Sequence, residues 1–227
     1  MKQKETLLNT LSDAEDIGDD HIVSSTDTPL RADAFEMDDA LKIELIAKHF
    51  KEIMHVLGLD LDDDSLSGTP NRVAKMYVKE VFSGLDPKNK PAARLFENKF
   101  GYNEMLVEKD ITFYSHCEHH FVPIYGKAHV AYISSGEVIG LSKINRIVQY
   151  FAKRPQVQER LTVQIANELK DVLKTQDVGV VIDANHMCVS SRGVGDTNSK
   201  TGTAHFSGKF SEENYKREFL NYINTPS

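Results

Sequence analysis

Only two cysteines occur in the chain, and each stands inside a histidine cluster: His116-Cys117-Glu118-His119-His120, then His186-Met187-Cys188. A chain that places its only thiols beside imidazoles reads most simply as assembling one thiolate/imidazole metal site. Cys117 and His120 are three apart, so one turn can aim both at a single ion, and Cys188 arrives 68 residues later to close a three-ligand set. Three protein ligands with the fourth position open is the arrangement of a catalytic rather than a structural zinc.

Three plainer readings compete. A Cys117–Cys188 disulfide needs an oxidising compartment, but no secretory apolar stretch or membrane-spanning run is evident, which points to a reducing cytoplasm. Two unrelated buried thiols are common in other chains, yet three histidines crowd one of these. No Cys-x-x-Cys pair exists to make a zinc finger or ribbon, and the Pro-Cys-x-x-Cys half of the zinc deaminases is missing. A mononuclear open site fits best.

The net charge of −7 is unevenly spread. Residues 1–40 hold 11 acidic against 3 basic side chains, whereas the remainder holds 23 against 24. The acidity belongs to the leading segment, and the body is near neutral. No Lys/Arg stripe argues for nucleic acid, and no basic amphipathic helix argues for a membrane.

Residues 1–36, rich in Asp, Ser and Thr, show no sustained apolar period and read as a flexible acidic segment. Residues 37–99 read as a helical arm. Leu41, Leu45, Ile46, Phe50, Ile53 and Leu57 mark one helical face, with Gly58 as the stop. A second helix is expected from Thr69 as N-cap, with Pro70 in its first turn, to Gly84. Residues 100–227 read as the main domain, in the order strand, strand, helix, helix, strand, strand. The strands fall at 104–114 and 121–134, the helices at 142–153 and 156–174, and the later strands at 177–184 and 186–192. A short strand near 203–210 and a helix near 212–223 complete the chain. The class is α+β.

Spacing suggests how the site is built. If 186–192 is extended, His186, Cys188, Ser190 and Arg192 share one face. Neighbours in a turn point apart, so Cys117 with His120 is the better ligand pair, leaving His119 to act as a proton donor or acceptor. The plainer alternative for His119 is a merely hydrogen-bonded structural part. Gly140-Leu-Ser142-Lys143-Ile-Asn-Arg146 places a hydroxyl, an ammonium and a guanidinium at an expected helix start, a natural place for phosphate, although such cations are often only a solvated face. Glu159, in the first turn of the next helix, could simply complement the helix dipole. The stretch 195–201 lacks the glycines of a phosphate-binding loop and is rejected as one.

Cys117-Glu-His-His120, Gly140-Leu-Ser-Lys-Ile-Asn-Arg146, Arg154-Pro-Gln-Val-Gln-Glu-Arg160 and His186-Met-Cys188 with Arg192 together closely resemble the type I GTP cyclohydrolases. The likeness runs over about residues 40–223 and leaves the acidic segment out. It implies the T-fold, an antiparallel sheet with two helices inserted between strand pairs, here with an N-terminal helical arm. It also implies zinc-dependent hydrolysis of GTP at C8, release of formate and rearrangement to 7,8-dihydroneopterin triphosphate, the first step of tetrahydrofolate or other pterin biosynthesis. By the resemblance, Cys117, His120 and Cys188 hold Zn2+, while His119, His186 and Ser142 serve catalysis. Gln158 and Glu159 read guanine, and Lys143, Arg146 and Arg192 meet the triphosphate, joined by Arg72 and Lys75 from a neighbouring subunit's arm. A homodecamer with sites between subunits is implied as well.

Elementary chemistry agrees with this. A metal in an open site lowers the pKa of water to about 7, which suits attack on a resistant purine carbon. A carboxylate such as Glu159 can accept both the N1–H and the exocyclic amine of guanine, a fork that adenine lacks. Two rivals stay open: another T-fold pterin or deazapurine enzyme, and a zinc-stabilised binding protein with a closed fourth ligand.

Overall fold

The computed structural model describes residues 25–225, so the expectation for the acidic segment lies outside the described residues over 1–24. Helix α1 spans Asp39–Val56 and begins where the Asp38 carboxylate accepts the Leu41 N–H at 2.8 Å. This meets one of the donors that every helix start leaves open. Gly58, at φ +81°, ends it as expected. The apolar face is only partly covered: Ala47 and Met54 are buried, whereas Leu41, Ile53 and Leu57 remain exposed. Short α2 (Asp64–Ser67) leads into α3 (Thr69–Met76), which packs against α1.

The arm departs from expectation at both ends of its second helix. Gly68, not Thr69, is the N-cap, and the Thr69 hydroxyl accepts from Arg72 instead. The α-helix does not run on to Gly84. It widens to a π-helix over Tyr77–Val81 and tightens to a 3-10 turn over Ser83–Leu85. Gly84 is pressed against the body: its N–H donates to Lys153 O at 2.9 Å, and a Cβ there would lie 2.0 Å from Tyr150 O. The changes in helix pitch bring a residue without a side chain to that contact.

The body is a five-stranded sheet in the order β5-β2-β3-β6-β7. Its strands are β2 (Met105–Cys117), β3 (Pro123–Ile133), β5 (Pro155–Gln156), β6 (Val178–His186) and β7 (Thr201–Phe206). All neighbours are antiparallel except β2 and β5. A separate antiparallel pair, β1 (Leu95–Glu97) with β4 (Glu137–Ile139), lies outside this sheet. Helices α4 (Leu141–Ala152) and α5 (Gln158–Leu173) fall between β3 and β6 in the chain, the insertion that the T-fold requires.

Along β2 the burial alternates, with Ile111, Phe113, Ser115 and Cys117 buried and Thr112 and Tyr114 exposed. That single apolar face packs against α4 and α5 through Phe113, Val130, Ile144, Ile147, Leu161, Ile165, Leu169 and Ile182. Each such burial contributes roughly 1.5–3 kcal/mol. At the other face, α7 (Glu213–Asn224) closes a smaller cluster of Met105, Ala131, Ile133, Val181, Phe210 and Phe219. A bulge between Glu108 and Ile111 turns the Asp110 N–H toward His129 Nδ1, 3.2 Å away.

Two local expectations fail near the site. Residues 186–192 do not form a strand: β6 ends at His186, and Met187–Ser190 make one helical turn, α6. Serines explain the switch, because Ser190 Oγ donates to His186 O and Ser191 Oγ to Met187 O. Such back-bonds favour a turn over a ladder. His186, Cys188, Ser190 and Arg192 therefore share no extended face. Ser142 is not the N-cap of α4; Gly140 takes that position without a side-chain bond.

Candidate active site

The loop between β2 and β3 is closed by two backbone bonds, Phe121 N to Cys117 O at 2.8 Å and Cys117 N to Val122 O at 2.9 Å. Phe121 itself sits at φ +54°. This tight closure folds His119 and His120 back over Cys117, with their Nδ1 atoms 3.7 and 3.8 Å from its sulfur. Pairing Ile124 with His186 brings the end of β6 beside the same loop, so the α6 turn delivers Cys188. Parallel pairing of Cys117 with Gln156 brings the start of α5 there too.

The result is a group in which one ligand atom from each of Cys117, His120 and Cys188 lies within 4.8 Å of the others. Both cysteines are free thiols, so the disulfide reading fails. Burial, and then the neighbouring Cys117, push the Cys188 thiol up to about 11. Two adjacent sulfurs resist ionising together, and a bound dication would allow both to be thiolates. The donor set and its spacing fit a metal ion with sulfur and imidazole ligands.

Several expected residues gather around this group. His186 is half-buried, and its Nε2 lies 2.7 Å from Gln158 Oε1. Desolvation holds its imidazole below the ordinary value, opposed by the Glu159 carboxylate nearby. Glu159 is exposed in the first turn of α5, where a carboxylate also complements the helix dipole. Arg192 Nη1 stands 3.1 Å from His120 Nε2, the nitrogen turned away from the sulfur. Gln158 is buried among β6 and β7 and donates to Ile182 O, Thr201 O and Thr203 Oγ1.

Others lie elsewhere. Ser142 and Lys143 stand in the first turn of α4, and Arg146, one turn on, lines a cavity of about 450 Å3 with Asp39, Lys79, Gly84 and Lys153. None of the metal group lines that cavity. Arg72 is engaged inside its own arm, donating to Ser65 O and Thr69 Oγ1, and Lys75 is exposed on α3.

Sequence reasoning assigned no part to Arg160. It is 5% exposed and donates to both Glu118 oxygens, one bond at 3.4 Å, while its Nε donates to Ser25 O at 3.1 Å. Arg154, also buried, donates to Gly84 O at 2.8 Å and to Asp27 at 3.1 Å. The only available signal was two arginines bracketing an Arg-Pro-Gln-Val-Gln-Glu-Arg stretch otherwise set in apolar surroundings. His116 is outside the metal group and half-buried, its ring 5.4 Å from that of Phe82.

A family model described as GTP cyclohydrolase I matches residues 46–224. The chain is 59% identical over 217 residues to GTP cyclohydrolase 1 of Flavobacterium johnsoniae, covering 96% of this chain and 97% of that protein. It is 54% identical over 203 residues to the Erwinia tasmaniensis GTP cyclohydrolase 1, covering 89% of this chain and 92% of that protein. For an Escherichia coli GTP cyclohydrolase 1 the identity is 55% over 203 residues, covering 89% and 91%.

Proposed function

The chain belongs to the GTP cyclohydrolase I family, and from that premise we propose that it hydrolyses GTP at C8, releases formate and forms 7,8-dihydroneopterin triphosphate. The observation that carries the site assignment is the convergence of Cys117, His120 and Cys188 within 4.8 Å beside His119, His186 and Glu159.

Cys117, His120 and Cys188 would hold zinc, which when bound would supply Lewis acidity near neutral pH. His119, with Nε2 3.9 Å from Glu118 Oε1, is oriented from one side by a carboxylate and from the other by the Cys117 sulfur. It gives a proton to N7 as the imidazole ring of guanine opens. Glu159, exposed at a helix start, accepts from N1–H and the exocyclic amine and so selects guanine. His186 moves protons at the ribose during the rearrangement, with Ser142 assisting.

The triphosphate carries about four negative charges and needs several cations, which a near-neutral body must concentrate locally. Arg192 adjoins the metal group, but Lys143, Arg146, Arg72 and Lys75 are on other elements. That separation supports a site finished by a neighbouring subunit, in a homodecamer whose arms (37–99) reach between catalytic domains (100–227). No helix among the described residues is long and apolar enough to cross a membrane, in keeping with an enzyme of the cytoplasm. The two later fates of the product, folate or another pterin, share this first step.

The test is turnover of GTP by purified protein, with formate and the dihydropterin chromophore followed together, with and without a zinc chelator. The reading expects both products in equal amounts and both lost on chelation. Neither product from a zinc-loaded protein would instead support a binding role without turnover.

A further inference from the structure

The resemblance implies that Gln158 reads guanine alongside Glu159. Its side chain has no atom left to do so. Gln158 is 2% exposed. Its amide nitrogen faces three acceptors: Ile182 O at 3.0 Å, Thr201 O at 2.8 Å and Thr203 Oγ1 at 3.1 Å. Two of these are carbonyls, which cannot donate, so the amide cannot be turned over without setting oxygen against oxygen. The amide oxygen must then be the atom that faces His186 Nε2 at 2.7 Å.

The surrounding hydroxyls allow no other arrangement. Thr162 Oγ1 donates its proton to Gln158 O at 2.8 Å. The 2.7 Å contact between Thr162 and Thr203 is therefore a bond in which Thr203 donates. Thr203 Oγ1 in turn accepts from the Gln158 amide. Each hydroxyl proton in this closed ring is used once, the two amide protons are shared among three acceptors, and every buried polar atom of the Gln158 side chain is satisfied. Since the amide oxygen can only accept, His186 Nε2 must carry a proton, and Nδ1 is the nitrogen left for the reaction.

From this we propose that Gln158 is a positioning residue: it fixes the ring orientation and tautomer of His186, and reads no part of guanine with its side chain. The proposal rests on the reading above in which His186 moves protons. Its position on β6, two residues before Cys188, makes the ring orientation consequential. Rotation of the imidazole would break the Nε2 contact and move Nδ1.

Steady-state kinetics of the zinc-loaded enzyme separate the two roles, using GTP and inosine triphosphate, which lacks the exocyclic amine. Gln158→Met keeps the length of the side chain and removes the acceptor. Its kcat is expected to fall on the order of 10- to 100-fold, the usual cost of losing such an orienting partner. KM for GTP and the preference for GTP over inosine triphosphate stay the same. Gln158→Glu retains an acceptor for the His186 N–H but sets its second oxygen against the Ile182 and Thr201 carbonyls, so it should recover kcat only in part, and more at low pH, where the carboxyl can donate. In a His186→Ala background, Gln158→Met should have no further effect, because both substitutions disable the same unit. A rise in KM or a lost preference for GTP with kcat intact overturns the proposal, as does an undiminished effect of Gln158→Met without His186. If Gln158→Met proves insoluble, the same division between kcat and KM is read from Gln158→Glu. The unsubstituted enzyme is assayed in parallel: failure of that enzyme to release formate sinks the proposed activity, whereas an active parent with a KM-only variant sinks the positioning role alone.

Discussion

Arg160 grips Glu118, the residue between the first sulfur of the metal group and His119. The guanidinium is 5% exposed and donates to both carboxylate oxygens. Paired donors of this kind fix geometry as well as charge. The Glu118 backbone is held too, its N–H donating to Gln156 O at 3.0 Å. The turn that presents Cys117, His119 and His120 is thereby braced from the start of α5.

Arg160→Met should loosen that turn without emptying the core. Loss of an outer partner of this kind typically weakens metal affinity about 10- to 100-fold. Competition with a chromophoric chelator measures it, and an unchanged affinity would mean that Glu118 is held well enough by its backbone.

Gly84→Ala should detach the arm from the body. A Cβ at this position meets Tyr150 O at 2.0 Å and Lys153 O at 2.8 Å, both backbone atoms that cannot step aside. Proteolytic cleavage between residues 85 and 99 should become markedly faster than in the unsubstituted protein. Equal cleavage rates would show that the contact can relax.

Acidification should destabilise the fold in part through His129. Its imidazole is buried, accepts from Asp110 N–H, and is held below the ordinary histidine value by desolvation. Asp110 and Asp183 oppose that shift, and Lys109 and Lys127 add to it. A depressed folded-state pKa means that the unfolded chain binds more protons below about pH 6.5. The stabilising contribution is complete above that pH and is lost as pH falls through the folded value. His116, His186 and His205 are lowered by burial as well and act in the same direction. The thermal midpoint should drop less between pH 7 and pH 5 for His129→Asn than for the parent. Parallel curves would remove His129 from the account.

Leu169→Ala tests the core beneath the site. Leu169 is fully buried between α5 and the sheet, and truncation at such positions costs about 2–5 kcal/mol. Denaturant titration should move to a lower midpoint by a corresponding amount, and a cost below about 1 kcal/mol would indicate a core that repacks.

Much of this was legible because its determinants are local. The apolar period of α1 and Gly58 define that helix within 20 or so residues, and alternation along β2 marks its buried face. The grouping of Cys117, His120 and Cys188 could be read because the chain has only two thiols and both stand beside histidines. What stayed hidden depends on contacts between distant segments. Gly84 bends the arm to reach Tyr150, and the serines after His186 turn a β-like stretch into α6. The burial of Gln158 comes from the pairing of β6 with β7 around it, a long-range contact that spacing along the chain does not show. Arg160 could not be distinguished from a surface cation without Glu118 and Ser25 beside it.

The most direct measurement is zinc-edge X-ray absorption on the metal-loaded protein, with metal content determined for the parent and for Cys188→Ser. The account predicts one zinc per chain with two sulfurs, one imidazole and one exchangeable light atom, and loss of the ion from Cys188→Ser. A fourth protein ligand closing the site, or zinc retained at full occupancy without Cys188, would contradict it.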